Sequence, residues 1–528
     1  MDDYKIILFL CNWGPHTAFQ ELQEQDYSIP SEVNMIRIPC TGRMTKSLLF
    51  KAFEMGADGV ALVGCEPGSC RYGSGTESAL NNTEDTGNIL SLLGLGEDRM
   101  RFATFLPDES DSLAQFLSEF VADIRDMGKS PLKINQSEDP GDQNTESLSA
   151  VLSRYDVFAC QDCGKCTSSC PIALAGRDYS PRGIVNAVVA GDIESAKIQE
   201  DVWACLTCGI CHERCPSDVN FPLFIRDMRA IISLDEEKAA KPAHGGFFQS
   251  MMRSMTASEL NMNRWAFLPE TAETAKEGPV MFFGGCSPYF DAFFKNHSNV
   301  GTSRIISDSI KLLNFFGIKP VVMDNERCCG HDLLWSGDKF GFKKLAGLTI
   351  DMIEQAGVEE VITSCPECFS TLTNDYEEHG LKPGFKVTHI YDFLETEIDK
   401  SAVKFSFFDK KITYQDSCRL NRMSGMKDLP RKLIKRLVPA QFEEMKDHGN
   451  SAQCCGNSAW TGCGAFSKAL QVKRIRQAKE TGSDLLITSC SKCQIHMKCA
   501  MEDTFLMDEL CMDMSDLVSV IADTIEWE

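Results

Sequence analysis

Histidine is scarce, nine residues in a chain of 528. A metal bound here in quantity is therefore not held mainly by imidazole. Long apolar runs are missing too, and none approaches the roughly 20 residues a membrane span needs. The start, MDDYKIILFLCNW, is acidic, and its apolar run is too short for a signal peptide. Together these features predict a cytoplasmic protein without a membrane span. Positive charge is in deficit, with 53 Lys and Arg against 76 Asp and Glu and a formal net charge of −23. Such a chain is not expected to hold nucleic acid or an anionic membrane surface. Nucleotide signatures are lacking as well. No G-x-G-x-x-G opens a βαβ unit, there is no P-loop, and GSGTES at 73–78 has only two glycines. Flavin or nicotinamide chemistry, where needed, is expected on a partner chain.

Cysteine is what the chain has in excess, 25 residues. Disulfides are rare in the cytosol, so dense cysteine there usually means metal or redox chemistry. Sulfur ligation suits iron–sulfur clusters or zinc. The length predicts three or four domains, and the cysteines fall into blocks that suggest where they lie.

In residues 1–128, IILFLC, MIRIPC and VALVGC look like buried parallel strands separated by helical stretches. That is the pattern of a doubly wound α/β sheet. The strands end on Cys11, Cys40 and Cys65, and Cys70 follows in GCEPGSC. Ligands of such sheets sit beyond the carboxyl ends of the strands. Four thiolates there suit one [2Fe–2S] cluster, with zinc or buried free thiols as alternatives. CNW at 11–13, CTGR at 40–43, GADGV at 56–60 and GCEPGSCRY at 64–72 resemble the delta subunit of methyl-viologen-reducing hydrogenase. That family often reads CNWC, where this chain has Gly14 in the fourth place.

Residues 129–150 are polar and contain Pro, Gly and Ser, so they read as a linker. Residues 151–232 carry CQDCGKCTSSCP and CLTCGICHERCP, each a C-x-x-C-x-x-C-x-x-x-C-P run. In this two-cluster ferredoxin pattern the fourth cysteine of each run ligates the other cluster. Cys160, Cys163, Cys166 and Cys215 are thus expected to hold one cubane [4Fe–4S] cluster, and Cys205, Cys208, Cys211 and Cys170 the second. The helical insert PRGIVNAVVAGDIESA points to an α-helical ferredoxin. Residues 233–278 read as a connection wrapping onto the next domain.

Residues 279–400 and 401–528 contain two copies of one unit. The first runs VMFFGGC, ERCCG, VITSCPEC, and the second ITYQDSC, SAQCCG, LLITSCSKC. Each offers five cysteines: Cys286, Cys328, Cys329, Cys365 and Cys368, then Cys418, Cys454, Cys455, Cys490 and Cys493. Adjacent side chains point apart in extended chain, but a following glycine permits a turn that aims both at one object. Five sulfurs exceed what zinc or a cubane requires, so the CCG pair implies a larger cluster of unusual shape. A vicinal disulfide is the competing reading. Cys463, Cys499 and Cys511 are left over and read as packing residues.

The CCG repeats resemble those of the B subunit of heterodisulfide reductase, and the ferredoxin block resembles the C subunit of that enzyme. The chain thus reads as a fusion of three parts, one like the hydrogenase delta subunit and two like these reductase subunits. The resemblance implies a noncubane [4Fe–4S] cluster in each repeat and an oxidoreductase acting on a disulfide between them. It also implies a partner flavoprotein like the reductase's A subunit, carrying FAD, and flavin-based electron bifurcation. Electrons would come from a hydrogenase, formate dehydrogenase or NADH-oxidising module. The family often has histidine after the first cysteine of copy two, where this chain has Arg419. His331, beside the first CCG, is a candidate proton donor, with a surface or structural role as the alternative. Related CCG proteins serve lactate, glycolate and glycerol-3-phosphate oxidation. A non-catalytic electron-transfer and scaffold role, feeding another reductase or a quinone-linked module, is therefore the second reading.

Overall fold

The computed structural model describes residues 4–132, 146–234, 242–298, 300–401 and 403–527. Most of the expected linker, residues 133–145, lies outside the described residues, as do 235–241 of the expected connection. The chain forms two compact units. One comprises Met1–Gly141, His244–Ala266 and Pro288–Asn299, the other Asp142–Ala243, Phe267–Ser287 and Val300–Glu528.

The first unit is built on four parallel strands, β1 (Ile6–Cys11), β2 (Val33–Ile38), β3 (Gly59–Gly64) and β4 (Met100–Thr104), in the order β2-β1-β3-β4. Alternate residues Ile6, Leu8 and Leu10 of β1 join Ala61 and Val63 of β3 in a core with helices Gly14–Glu24 and Ser110–Met127. Helices Lys46–Glu54 and Gly75–Leu92 pack together and against β3. This is the parallel α/β arrangement that the run of apolar strands predicts. Residues 244–266, expected to wrap onto the following domain, group with this unit instead. Helix Phe247–Ser254 packs on Lys46–Glu54, with the Phe50 and Phe247 rings 5.1 Å apart and Arg253 Nε 2.7 Å from Glu54 Oε1. The cause is an aromatic and charge match that chain order alone does not reveal.

In the second unit, residues 146–234 are helical, with no strand among the described residues. Two parallel sheets follow. β5 (Val280–Phe283), β6 (Glu360–Thr363) and β7 (Lys386–His389) run β5-β6-β7. β8 (Phe408–Tyr414), β9 (Pro439–Phe442), β10 (Leu485–Thr488) and β11 (Asp513–Asp516) run β11-β10-β8-β9. The two differ by one edge. Where β9 flanks β8, the first sheet has only a parallel bridge from Val321 to Met281 of β5. With that bridge counted, the strand order is the same in both copies. Cys286, Cys365, Cys418 and Cys490 each follow the carboxyl end of a strand within a few residues.

Candidate metal centres

At the carboxyl edge of the first sheet, Cys11 Sγ lies 3.6 Å from Cys65 Sγ, and Cys40 Sγ lies 3.9 Å from Cys70 Sγ. Backbone N–H groups point at these sulfurs: Gly14 donates to Cys65, Gly42 to Cys40, and Tyr72, Gly75 and Thr76 to Cys70. Burial pushes the Cys65 thiol up to about 12. Gly75 makes room for the set, because a Cβ there would come within 2.6 Å of Cys40 Sγ and 2.8 Å of Cys70 Sγ. GSGTES thus contributes a glycine and two amides to a sulfur site. Its signal in sequence is only a glycine two residues before an acidic helix turn.

The last cysteine of the first ferredoxin-pattern run lies with the second run. Cys170 sits among Cys205, Cys208 and Cys211, and these four line one cavity with Tyr179 and Phe221. Cys166 neighbours Cys160, and both pack with Cys215 against the same core. The sets differ in exposure. Cys163 is exposed and Cys160, Cys166 and Cys215 are half-buried, whereas Cys170, Cys205, Cys208 and Cys211 are buried. Burial pushes Cys170 up to about 12. Cys208 is instead pushed down to about 6, chiefly by a hydrogen bond from Cys454 and further by Arg422 and Arg419. The second run therefore touches the second CCG pair directly.

In each repeat the five sulfurs form one chain of contacts in the same order. In the first, Cys286 meets Cys328 at 3.3 Å, Cys328 meets Cys329, Cys329 meets Cys368, and Cys368 meets Cys365. In the second, Cys418, Cys454, Cys455, Cys493 and Cys490 follow in turn. No disulfide joins either CCG pair in the structure. Gly330 adopts φ +87° and Gly456 φ +102°, the left-handed turn expected after each pair, and each amide donates to the first sulfur of its pair. Glu326, missed in the sequence, is fully buried, and its carboxylate accepts from Gly284 N at 3.2 Å and Gly285 N at 3.0 Å. It thereby anchors the turn that carries Cys286 to Cys328. His496 Nδ1 lies 3.3 Å from Cys455 Sγ. The C-x-x-C-x-x-H spacing of Cys490, Cys493 and His496 could have revealed it.

His331 is buried, not at the surface. The helix His331–Trp335 starts directly after Gly330 and turns the ring inward, where Nδ1 meets Thr371 Oγ1 at 3.0 Å and Nε2 lies 3.5 Å from Glu367. Burial, with Arg419, Lys492 and Arg226 nearby, holds this imidazole far below its ordinary value and therefore neutral. Lys492 enters from the second repeat and pairs with Asp332 and with Glu367 of the first, the latter at 2.5 Å. Cys490 feels the charges of both Glu367 and Cys365, so the two sulfur chains approach each other here.

These donor sets fit sulfur-bound iron. Four soft sulfurs gather at Cys11, Cys40, Cys65 and Cys70, four at Cys170, Cys205, Cys208 and Cys211, and five in each repeat, donors that suit a thiophilic cation able to displace thiol protons.

Three family models match separate stretches of the chain. The model for methyl-viologen-reducing hydrogenase, delta subunit, matches residues 6–128. The D-type iron-sulfur subunit of an F420-non-reducing hydrogenase from Archaeoglobus profundus is 33% identical over 123 residues, covering 23% of this chain and 90% of the relative. The chain belongs, through residues 6–128, to the hydrogenase delta-subunit family. Beyond this delta-type domain, the 4Fe-4S dicluster domain matches residues 156–219, and the cysteine-rich CCG domain matches 280–373 and 412–498. The chain is thus an iron–sulfur protein of oxidoreductase-related kin. The D subunit of the dihydromethanophenazine:CoB–CoM heterodisulfide reductase from Methanosarcina acetivorans is 29% identical over 240 residues, 44% of this chain and 56% of the relative. The EtfAB:quinone oxidoreductase of Syntrophomonas wolfei is 23% identical over 420 residues, 68% of this chain and 57% of the relative. The chain spans about half the length of these two relatives. A solved aspartate racemase homologue from Pyrococcus horikoshii aligns at TM-score 0.22 and 13% identity, over 47% of this chain and 96% of that one, too low a likeness to bear on the fold. No helix among the described residues is long and apolar enough to cross a membrane.

Proposed function

We propose that this chain is the iron–sulfur subunit of a heterodisulfide-reductase-like complex, taking electrons from a partner flavoprotein and reducing a disulfide or related acceptor at the CCG repeats. Its expected groups are one [2Fe–2S] cluster at Cys11, Cys40, Cys65 and Cys70, two cubanes on the ferredoxin runs, and a noncubane cluster on each repeat. When bound, these supply one-electron transfer and, at the repeats, sites for splitting a sulfur–sulfur bond. The observation that carries the reading is the identical order of five sulfur contacts in the two repeats. A relay alone would not need two complete sets. The chain's own residues then have separate tasks. The exposed Cys163 loop offers a partner an approach. Glu326, Gly330 and Gly456 fix the sulfurs, and Lys492 holds the two repeats in register. A hydrogenase or dehydrogenase supplying the delta-like domain, and coupling to flavin-based bifurcation, belong to the same proposal.

The EtfAB:quinone oxidoreductase relative, matched over 68% of this chain, favours a second reading. In it the repeats pass electrons to a quinone-linked module and transform no substrate.

The deciding experiment begins with iron and acid-labile sulfide on protein purified without oxygen. The full set gives about 18 irons per chain. Loaded protein is then assayed with reduced viologen and the coenzyme M–coenzyme B disulfide, other disulfides and quinones. Disulfide turnover that Cys328→Ala or Cys454→Ala abolishes, with cubane signals intact, supports the first reading. Full turnover in either variant rejects it. Quinone reduction alone selects the second.

A further inference from the structure

The two ferredoxin loops are local copies of each other. Asp162 in Cys160–Cys166 has φ +51°, and its counterpart Thr207 in Cys205–Cys211 has φ +43°. Gly164 and Gly209 follow at +78° and +81°. An arginine clasps each loop at the same residue. Arg182 Nη1 donates to the Asp162 carbonyl and to Asp162 Oδ1, both at 3.0 Å, and comes from the ferredoxin segment itself. Arg419 donates through Nη1 to the Thr207 carbonyl at 3.3 Å and through Nη2 to Thr207 Oγ1 at 3.0 Å. It comes from the second CCG repeat.

The second clasp is a joint between the ferredoxin segment and that repeat. Arg419 Nη2 also reaches Ser458 Oγ at 3.3 Å, and Ser458 Oγ lies 2.6 Å from Thr207 Oγ1. Arg422 Nε donates to the Cys208 carbonyl at 2.7 Å. Arg419 is 2% exposed, and its guanidinium stacks 3.8 Å from the centre of the Trp335 ring. These hydrogen bonds go to neutral oxygens, and the sulfurs of Cys418 and Cys208 lie within its field. The matching place in the first repeat, after Cys286, is Ser287. That place carries no cation, so the joint belongs to the second repeat.

From this we infer that Arg419 is a positioning residue that closes the Cys205–Cys211 loop and holds Cys208 against Cys454, making the second repeat the one that receives electrons from the ferredoxin segment. The inference rests on the proposed metallation of the repeats. The transfer moves one electron at a time from the site of Cys170, Cys205, Cys208 and Cys211 to that of Cys454, with no bond made or broken, and a low-potential reductant such as dithionite supplies it in the test. The arginine replaces the histidine common at this place in the resembled family, and its geometry gives it a docking role.

The test compares wild type, Arg419→Gln, Arg419→Lys and Arg182→Gln, each prepared without oxygen. Amide hydrogen exchange over 205–211 and 454–458 reports the joint, paramagnetic resonance reports the cubanes, and freeze-quench after dithionite reports the repeats. Arg419→Gln is expected to raise exchange in both segments and to slow reduction of the second repeat about tenfold to a hundredfold, as lost positioning does. Arg419→Lys should retain part of the rate, and Arg182→Gln should disturb only the first loop. Exchange and reduction rates within about twofold of wild type in Arg419→Gln overturn the inference. So does reduction of the first repeat ahead of the second in wild type. If Arg419→Gln does not fold, Ser458→Ala with Thr207→Val removes both side-chain acceptors, leaving only the Thr207 carbonyl, and is read in the same way. About 10 irons per chain instead of about 18 would mean unmetallated repeats. That outcome defeats the proposed function, while altered exchange at 205–211 in Arg419→Gln would still establish the clasp.

Discussion

Lys492 Nζ lies 2.5 Å from Glu367 Oε2, and the two residues hold the same place in their repeats. One stands inside Cys365-Pro366-Glu367-Cys368, the other inside Cys490-Ser491-Lys492-Cys493. Equivalent positions of a duplicated unit thus meet with opposite charge, and Asp332 adds a second carboxylate to the ammonium. Two copies of the first repeat would oppose Glu to Glu, and two of the second Lys to Lys.

Lys492→Met should leave both carboxylates buried without a cation, at a cost of about 3–5 kcal/mol. The exchange Glu367→Lys with Lys492→Glu restores opposite charges and should recover most of it. Thermal unfolding of the three proteins decides. An exchange no more stable than Lys492→Met would show that more than the sign of the charges is needed here.

Gly75→Ala should empty the first sulfur set, because the added methyl carbon would sit 2.6 Å from Cys40 Sγ and 2.8 Å from Cys70 Sγ and would push the two sulfurs apart. The expected result is about two fewer irons per chain with unchanged cubane signals. Wild-type iron content in this variant would remove the crowding argument.

Arg226 is fully buried among Asp227, Asp375 and Glu378, with Nη1 3.1 Å from Asp375 Oδ1 and Nη2 2.6 Å from Glu378 Oε1. It ties a ferredoxin-segment helix to the first repeat. Arg226→Met should cost about 3–5 kcal/mol by stranding these carboxylates. Hydrogen exchange should rise in 221–232 and in 371–378 together. A rise in only one of them would deny that the arginine joins the two.

Asp516 caps the helix Leu517–Thr524, and burial pushes its carboxyl up to about 7. Unfolded, an aspartic acid titrates near about 3.9. The native form therefore binds the proton more tightly. The stability this contributes is fully present below about pH 4 and is lost as pH rises through about 7. Asp516→Asn keeps a cap-forming side chain and removes the titration. Its melting temperature relative to wild type should climb between about pH 4 and pH 7 and level off above, and a constant difference would show that Asp516 does not titrate in this range.

Much of this was legible in the sequence because the strands and the sulfurs are tied together. IILFLC, VALVGC and LLITSC place an apolar strand directly before a cysteine, and parallel strands deliver their ends to one edge. The crossing of Cys170 into the second run followed from spacing in the same way. What was not legible depends on tertiary contact. Glu326 looks like any charged residue until its carboxylate is seen on two glycine amides. His331 allowed a surface reading because a single histidine carries no periodicity. Residues 244–266 joined the first unit through Phe247 and Arg253, whose partners Phe50 and Glu54 lie far back in the chain. Arg419 showed only as a departure from a common histidine, and its contacts with Thr207 and Ser458 could not be read from the sequence.

With the proposed clusters on the two ferredoxin loops, their unequal burial would also order the protein's maturation. Cys163 stays open to solvent in the folded chain, so a cluster there would be open to late filling and repair. Cys208 lies beneath the second repeat, with Arg419 and Arg422 across its loop. Metal for that proposed site would have to arrive before the repeat closes over it, and damage there would have no remedy short of reopening the joint.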